Sequence, residues 1–321
     1  MLTGFKNKEF VMTKRWILLL AVVLLSLLPA GGANAAAARP SSTRPPAVAS
    51  SEEVRFHNKA QDLELAGQLF LPQSVEPYPA VVIVHGSGDS SRDNRWIAAL
   101  TAHLQGQGIA VLVPDKRGSG ASGGDWRTAS FAELATDTAA ALHYLHGRDD
   151  LPISAAGVVG SSQGGHISPL IAATTEEIDF IVNLSGATLP IREVLRYEEG
   201  HNLRQMGLPA GLADLLAYPA AWSLRAVRQK AFWDAVGDFD PLPYWRGLEL
   251  PALVLYGAAD TNVPAARSAA RLAALGKPNI EVRLFAGSGH NLGPPSGAGA
   301  ALIRPAALQA VSSFIDDVAS R

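Results

Sequence analysis

Three residues along this chain have the types, order and surroundings that covalent acyl transfer needs. Ser162 is the middle of Gly160-Ser161-Ser162-Gln163-Gly164, which fits G-x-S-x-G. An apolar run, Ala155 to Val159, precedes it, and a helix-like run, His166 to Ala173, follows. A strand, a very sharp turn and a helix would expose the middle serine. Small residues must flank it because the turn is strained and the backbones crowd. The pentapeptide arises often by chance, so its context carries the reading. A serine is a weak nucleophile until a base takes its proton, and the base needs a third group to orient it. His290 is the base candidate. It opens a loop, Gly287-Ser288-Gly289-His290, after the apolar alternation of Ile280 to Phe285. Asp260 is the orienter. It follows Ala252-Leu253-Val254-Leu255-Tyr256-Gly257, a buried-strand pattern.

Acyl transfer also needs N–H donors for the oxyanion. The apolar strand Ala80 to Val84 runs into His85-Gly86-Ser87-Gly88, a glycine-flanked loop that can turn its N–H groups toward the nucleophile. Ser87 is the first donor expected, with Gly88 as alternative. Gln163, directly after Ser162, is the second.

Competing residues have plainer readings. Ser161 sits off the apex of the turn. Asp115 also ends a strand, but Asp115-Lys116-Arg117-Gly118 reads as a turn whose carboxylate caps backbone N–H groups. His143 and His146 share a helix face with no third metal ligand at suitable spacing. His166 is expected to pack under the turn, and His85 to brace the oxyanion loop. Gly118, Gly120, Gly123 and Gly124 lack the Gly-Lys-Ser/Thr and strand–glycine–helix order of a phosphate loop.

Elements that would position these groups are legible. Val54 to Lys59 and Leu63 to Leu71 alternate as opening strands, and Ile109 to Val113 and Ile178 to Leu184 read as buried ones. Helices are expected over Trp96–Gln105, Ala129–His146, Ala265–Leu275 and Ala306–Val318. In the second of these, Phe131, Leu134, Thr138, Leu142 and Leu145 fall at helical spacing. Strands alternating with helices imply an α/β domain with a mostly parallel sheet covered on both faces. Ser87, Ser162, Asp260 and His290 then gather at the carboxyl ends of strands. Residues 187–246 break the alternation as a helical insertion rich in aromatics. The expectation is a cap over the site, with Trp222, Trp233 and Trp245 lining an apolar substrate pocket. The plainer alternative is a surface excursion that buries its own rings.

The order Ser…Asp…His is that of the α/β-hydrolases. The chain resembles that superfamily, and within it the bacterial serine esterases that carry a Gly-Ser-Gly…Arg-Asp oxyanion segment. The matching residues are His85-Gly86-Ser87-Gly88, Arg92-Asp93, Pro114 to Gly120, the G-x-S-x-G turn, Asp260 and His290, over roughly residues 52 to 318. It departs from them at Asp89, where proline is usual, and at His166, where an aromatic residue is expected. The resemblance implies a serine carboxylesterase acting on a small-molecule ester, without metal or organic cofactor. A thioesterase, acyltransferase or aminopeptidase would use the same triad. The last would need cap carboxylates for the substrate ammonium, a part that Glu198 and Glu199 could take. A non-catalytic binding protein is disfavoured by the complete triad. Chain-length preference and oligomeric state are left open.

Bulk properties set the remaining bounds. In 321 residues, 48% hydrophobic and 17% charged, there is enough apolar material for one sizeable core. The net charge of −2 and the lack of a basic stripe exclude nucleic acid as an expected partner. No cysteine is present, so disulfides, thiolate metal sites and a lipoprotein anchor are excluded. Residues 1–35 read as a secretory signal: Lys14-Arg15, an apolar run from Trp16 to Leu28, and Ala33-Asn34-Ala35 for cleavage. That predicts a secreted or periplasmic protein, with an uncleaved N-terminal membrane anchor as alternative. A Pro/Ser/Ala-rich linker is expected over residues 36–51 and one α/β-hydrolase domain over 52–321.

Overall fold

The computed structural model describes residues 50–74, 77–88, 90, 92, 94–223, 230–295 and 302–321. The expected signal, most of the linker, Asp89 and Asp93 lie outside the described residues. Ser50 and Ser51, assigned to the linker, already belong to the first strand. They pair with Leu71 and Phe70 across it, so the domain begins slightly earlier than composition suggests.

Eight strands form one sheet: β1 (Ser50–Asn58), β2 (Leu63–Leu71), β3 (Tyr78–Val84), β4 (Ala110–Pro114), β5 (Ile153–Ser161), β6 (Phe180–Leu184), β7 (Ala252–Gly257) and β8 (Ile280–Phe285). Their spatial order is β1-β2-β4-β3-β5-β6-β7-β8. β1–β2 and β2–β4 pair antiparallel, and every later pair is parallel. The middle strands are mostly apolar because both faces are covered. Val81, Ile83, Val111, Val182, Leu253 and Leu255 pack on one face. Ala80, Val82, Leu112, Val158, Ile181 and Val254 pack on the other. Edge strand β8 instead carries Glu281 and Arg283 outward, which suits a strand whose free side meets solvent. Pro79 cannot donate to the ladder, and the β3–β5 register slips by one residue between Tyr78 and Ala80.

Helices α1 (Arg95–Gly106) and α9 (Pro305–Ala319) cover the first face. α2 (Phe131–His146), α3 (Gln163–Ala172) and α8 (Ala265–Ala273) cover the second. Two helix starts have a side-chain cap. The Asn94 side chain caps α1, and Ser130 with Glu133 forms a reciprocal capping box on α2. Between β6 and β7 the insertion forms α4 (Ile191–Gln205), α5 (Ala210–Ser223), α6 (Lys230–Val236) and α7 (Leu242–Gly247). α4 and α5 meet through Leu203, Ala213 and Ala220, with Leu208 and Leu216 beside them.

The turn after β4 is a buried charged layer. Arg92 grips Asp115 with two parallel bonds, Nε to Oδ1 at 2.9 Å and Nη2 to Oδ2 at 3.0 Å. Asp115 Oδ2 also accepts the N–H of Ala121 at 2.9 Å. Arg117 grips Asp137 in the same bidentate way, at 2.6 and 2.7 Å. Asp115 thus has the turn-capping role expected of it and stands apart from the candidate triad. Removing it would strand a guanidinium that is only 19% exposed and leave Glu53 as its acidic partner. Asp115→Ala should therefore lower stability by about 3 kcal/mol in urea unfolding, the low end for a broken buried pair. A loss below about 1 kcal/mol would show that the layer is dispensable.

Candidate active site

The serine turn is built by strain and by missing side chains. Ser162 has φ 53° and ψ −113°, a backbone region costly for a residue with a Cβ. It holds because its neighbours allow no other path. Its N–H donates to the Leu184 carbonyl at 2.8 Å, and its own carbonyl accepts the His166 N–H at 2.9 Å. A Cβ on Gly164 would lie 2.0 Å from the Val84 carbonyl oxygen, and one on Gly160 would lie 2.5 Å from the Gly164 backbone. The glycines of the pentapeptide are therefore contact points between β3, β5 and α3.

His290 Nε2 lies 2.9 Å from Ser162 Oγ, and His290 Nδ1 lies 2.8 Å from Asp260 Oδ2. The structure thus brings together the three residues singled out in the sequence. Asp260 has a fully buried carboxylate. Its second oxygen accepts the N–H groups of Asn262 and Val263 at 2.8 and 2.9 Å, so both oxygens are occupied and the carboxylate orientation is fixed. The histidine loop docks against the end of β7. A Cβ on Gly257 would lie 2.1 Å from the Gly289 carbonyl oxygen. The Trp96 indole N–H donates to the Asn291 carbonyl at 2.9 Å.

Ser87 and Gln163 both border the cavity that contains Ser162 and His290. Gln163 is the first residue of α3, where N–H groups have no intrahelical acceptor. Gly88 has φ 85° with nothing near its absent Cβ and is not among the residues lining the cavity, so Ser87 is the better placed of the two. His85 braces this loop from behind through Nε2 and the Pro114 carbonyl. Burial pushes the His85 imidazole down to about 4, so it is neutral near pH 7 and Nε2 carries the donated proton.

The cavity holds about 480 Å³. Phe131, Ile191, Val194, Leu195, Phe232 and Trp233 give it an apolar lining, and Glu198, Glu199, Asn202 and Asn262 a polar one. Of the three tryptophans expected there, Trp233 lines it. Trp222 is 62% exposed and borders a neighbouring cavity of about 180 Å³ that shares Ile191, Leu195 and Trp233. Trp245 is a correction. It has no exposed surface and packs into the core under the second sheet face, because α7 leads directly back into β7. His166 does pack with Phe131 and Phe239, at 5.9 and 5.3 Å between ring centroids, yet it also borders the cavity. Burial pushes it down to about 4, so it too is neutral near pH 7.

Sequence reasoning missed how the cap grips the acid loop. The Tyr197 hydroxyl donates to the Asp260 carbonyl at 2.8 Å, and Asn262 Nδ2 donates to Glu198 Oε1 at 2.9 Å. Adjacent polar residues on an amphipathic helix carry no signal for this. Burial raises the Glu198 carboxyl above its ordinary value, against the opposing pull of Asn262 and His290. Between the unfolded and folded values, the folded chain keeps a proton that the unfolded chain has released. Stability attributable to Glu198 therefore falls as pH rises through that interval. Glu198→Gln, which keeps the acceptor for Asn262, should melt higher than the wild type at pH 7 to 8, with the gain vanishing below about pH 4. Thermal melts across pH check this, and a gain independent of pH would contradict it.

The sequence model of the serine aminopeptidase S33 family matches residues 75–206. Esterase EstD of Thermotoga maritima is 26% identical over 236 residues, which cover 69% of this chain and 56% of that protein. The chain thus spans little more than half the length of that relative. Among solved structures, the Pyrococcus furiosus esterase Pf2001 superposes with a TM-score of 0.61 at 18% identity, over 84% of this chain and 91% of that one. The α/β hydrolase GrgF of a Penicillium species superposes with a TM-score of 0.62 at 17% identity, over 85% of this chain and 100% of that one. With its strand order, its serine turn after β5 and these structural likenesses, the chain has the α/β-hydrolase fold.

Proposed function

We propose that this protein is a serine esterase that cleaves carboxylic esters through an acyl-enzyme. The observation that carries the reading is the unbroken hydrogen-bond line from Ser162 Oγ through His290 to Asp260, inside a cavity with an apolar lining. Ser162 Oγ attacks the ester carbonyl carbon while His290 Nε2 takes its proton. Asp260 holds the proton on Nδ1 and stabilises the imidazolium. The N–H groups of Ser87 and Gln163 hold the oxyanion. Collapse expels the alcohol, which receives the proton from His290. Water then gives its proton to the same nitrogen and attacks the acyl-enzyme, and the acid leaves with Ser162 restored. Esterase activity in two relatives supports the ester as substrate.

A second reading has a specific observation behind it. Glu198 and Glu199 both line the cavity, where a substrate ammonium could meet them, and the matching family model is that of serine aminopeptidases. Thioesters and acyl acceptors other than water are open to the same chemistry.

One experiment separates these. Wild type and Ser162→Ala are labelled with a fluorophosphonate, then assayed on p-nitrophenyl esters and aminoacyl p-nitroanilides. Ser162→Ala should lose labelling and about 10⁴-fold or more of turnover while staying folded, because triad members act as a unit. Wild-type kcat/KM should be highest on the esters. Highest turnover on the anilides would replace the esterase reading with the peptidase one, and labelling that persists in the variant would move the nucleophile elsewhere.

We also propose export, supported by Lys14-Arg15, the apolar run from Trp16 to Leu28, and Ala33-Asn34-Ala35. The mature protein should begin at Ala36 on N-terminal sequencing. Recovery of the intact leader in membranes would favour an anchor.

A further inference from the structure

Lys116 is a buried lysine, 8% exposed, in the turn after β4. Its Nζ donates to the carbonyl oxygens of Gly86 and Gly88 at 2.8 and 3.2 Å and to Gln163 Oε1 at 2.8 Å. The Trp126 ring lies beside it, 5.4 Å from Nζ to the centroid. Among the described residues the ammonium's N–H donors thus meet three acceptors, and these flank both N–H groups assigned to the oxyanion.

The Gly86 carbonyl and the Ser87 N–H belong to one peptide unit. No described peptide bond is cis, and a planar trans peptide points its C=O and N–H in opposite directions. An ammonium fixed on the Gly86 oxygen therefore turns the Ser87 N–H away from itself, and Ser87 borders the catalytic cavity. The same ammonium holds the side chain of Gln163, whose backbone N–H is the second donor. One cation ties together two segments that come from different strand ends. It also draws electron density toward the Gly86 oxygen, which strengthens the N–H at the other end of that amide. Its charge lies in a region shielded from water, where a developing oxyanion would feel it strongly.

We propose that Lys116 is a positioning residue of the oxyanion hole, aiming the Ser87 and Gln163 N–H groups and adding positive charge behind them. The proposal rests on the esterase reading with Ser162 as nucleophile. A lysine that only braced the turn would be replaceable by a neutral side chain of the same shape once the protein had folded.

The absence of cysteine allows a test that separates charge from shape. Lys116→Cys supplies a single thiol. Alkylation in denaturant with 2-bromoethylamine rebuilds an ammonium of nearly lysine length, and alkylation with 1-bromopropane gives its neutral counterpart. Both products and wild type are refolded in parallel. Their kcat, KM and affinity for a trifluoromethyl ketone, whose adduct with Ser162 carries an oxyanion, are then measured. The aminoethyl form should recover to within about threefold of wild type. The propyl form should show kcat about 30-fold or more lower, KM within about twofold, and ketone affinity reduced in step with kcat/KM. Equal kcat in the two folded forms overturns the proposal.

Lys116→Met, expressed directly, is the arm that needs no refolding, and a kcat near wild type there also overturns it. If neither neutral form folds, Gln163→Met decides. It keeps the backbone N–H but cuts the ammonium's hold on it, so kcat should fall about 10-fold with KM little changed, and an unchanged kcat overturns the idea. Wild type that neither turns over esters nor takes a fluorophosphonate label would instead sink the esterase reading itself.

Discussion

The site depends on one backbone constraint, the left-handed conformation of Ser162 at the end of β5. A positive φ at a residue with a Cβ costs on the order of 1–3 kcal/mol and persists only where surroundings over-determine it. Here they do. Gly164 lies so close to the Val84 carbonyl that a Cβ would sit 2.0 Å away, and a Cβ on Gly165 would lie 2.2 Å from Asn183 Oδ1. The end of β3 therefore sets the position of the serine turn. The same strand end continues directly into His85-Gly86-Ser87-Gly88. The serine turn and the His85–Gly88 loop therefore meet at one strand end.

Behind that contact lies a charged layer made by three consecutive residues with three different tasks. Asp115, Lys116 and Arg117 are 2%, 8% and 6% exposed, and each has bonded partners from distant segments. Asp115 accepts from Arg92, and Arg117 donates to Asp137. Lys116 reaches the Gly86 carbonyl in the loop after β3 and the Gln163 side chain. Buried charges of this kind add little net stability over apolar packing. What they add here is direction: Lys116 holds the Gly86 and Gly88 carbonyls, and Asp115 holds the Ala121 N–H.

The cap joins this scheme from the other side. α4 lines the cavity through Ile191, Val194, Leu195, Glu198 and Glu199 and holds the acid loop through Tyr197 and Glu198. One helix thus borders the cavity and restrains the loop that carries Asp260. Trp233 from α6 closes part of the same wall, between the cavity beside Ser162 and its smaller neighbour.

Much of this was legible in the sequence because it is local. Strands buried on both faces leave unbroken apolar runs, and their helices leave a 3.6-residue period. The serine turn needs glycines at fixed offsets from the nucleophile. Those signals determined the α/β order and the strand ends and singled out Ser162, Asp260 and His290; most element boundaries fall within two residues, but β1 begins four residues before Val54 and α3 three before His166. The charged turn was legible only as a turn, since the partners of Lys116 are a strand end and a helix start far away in the chain. In the cap, every helix carries aromatic residues, and composition cannot say which faces the cavity, which the core and which the solvent. Trp233, Trp245 and Trp222 divide in just that way. Tertiary packing decided it, because a helix laid across a domain has its inner and outer faces set by what it covers, not by its own period.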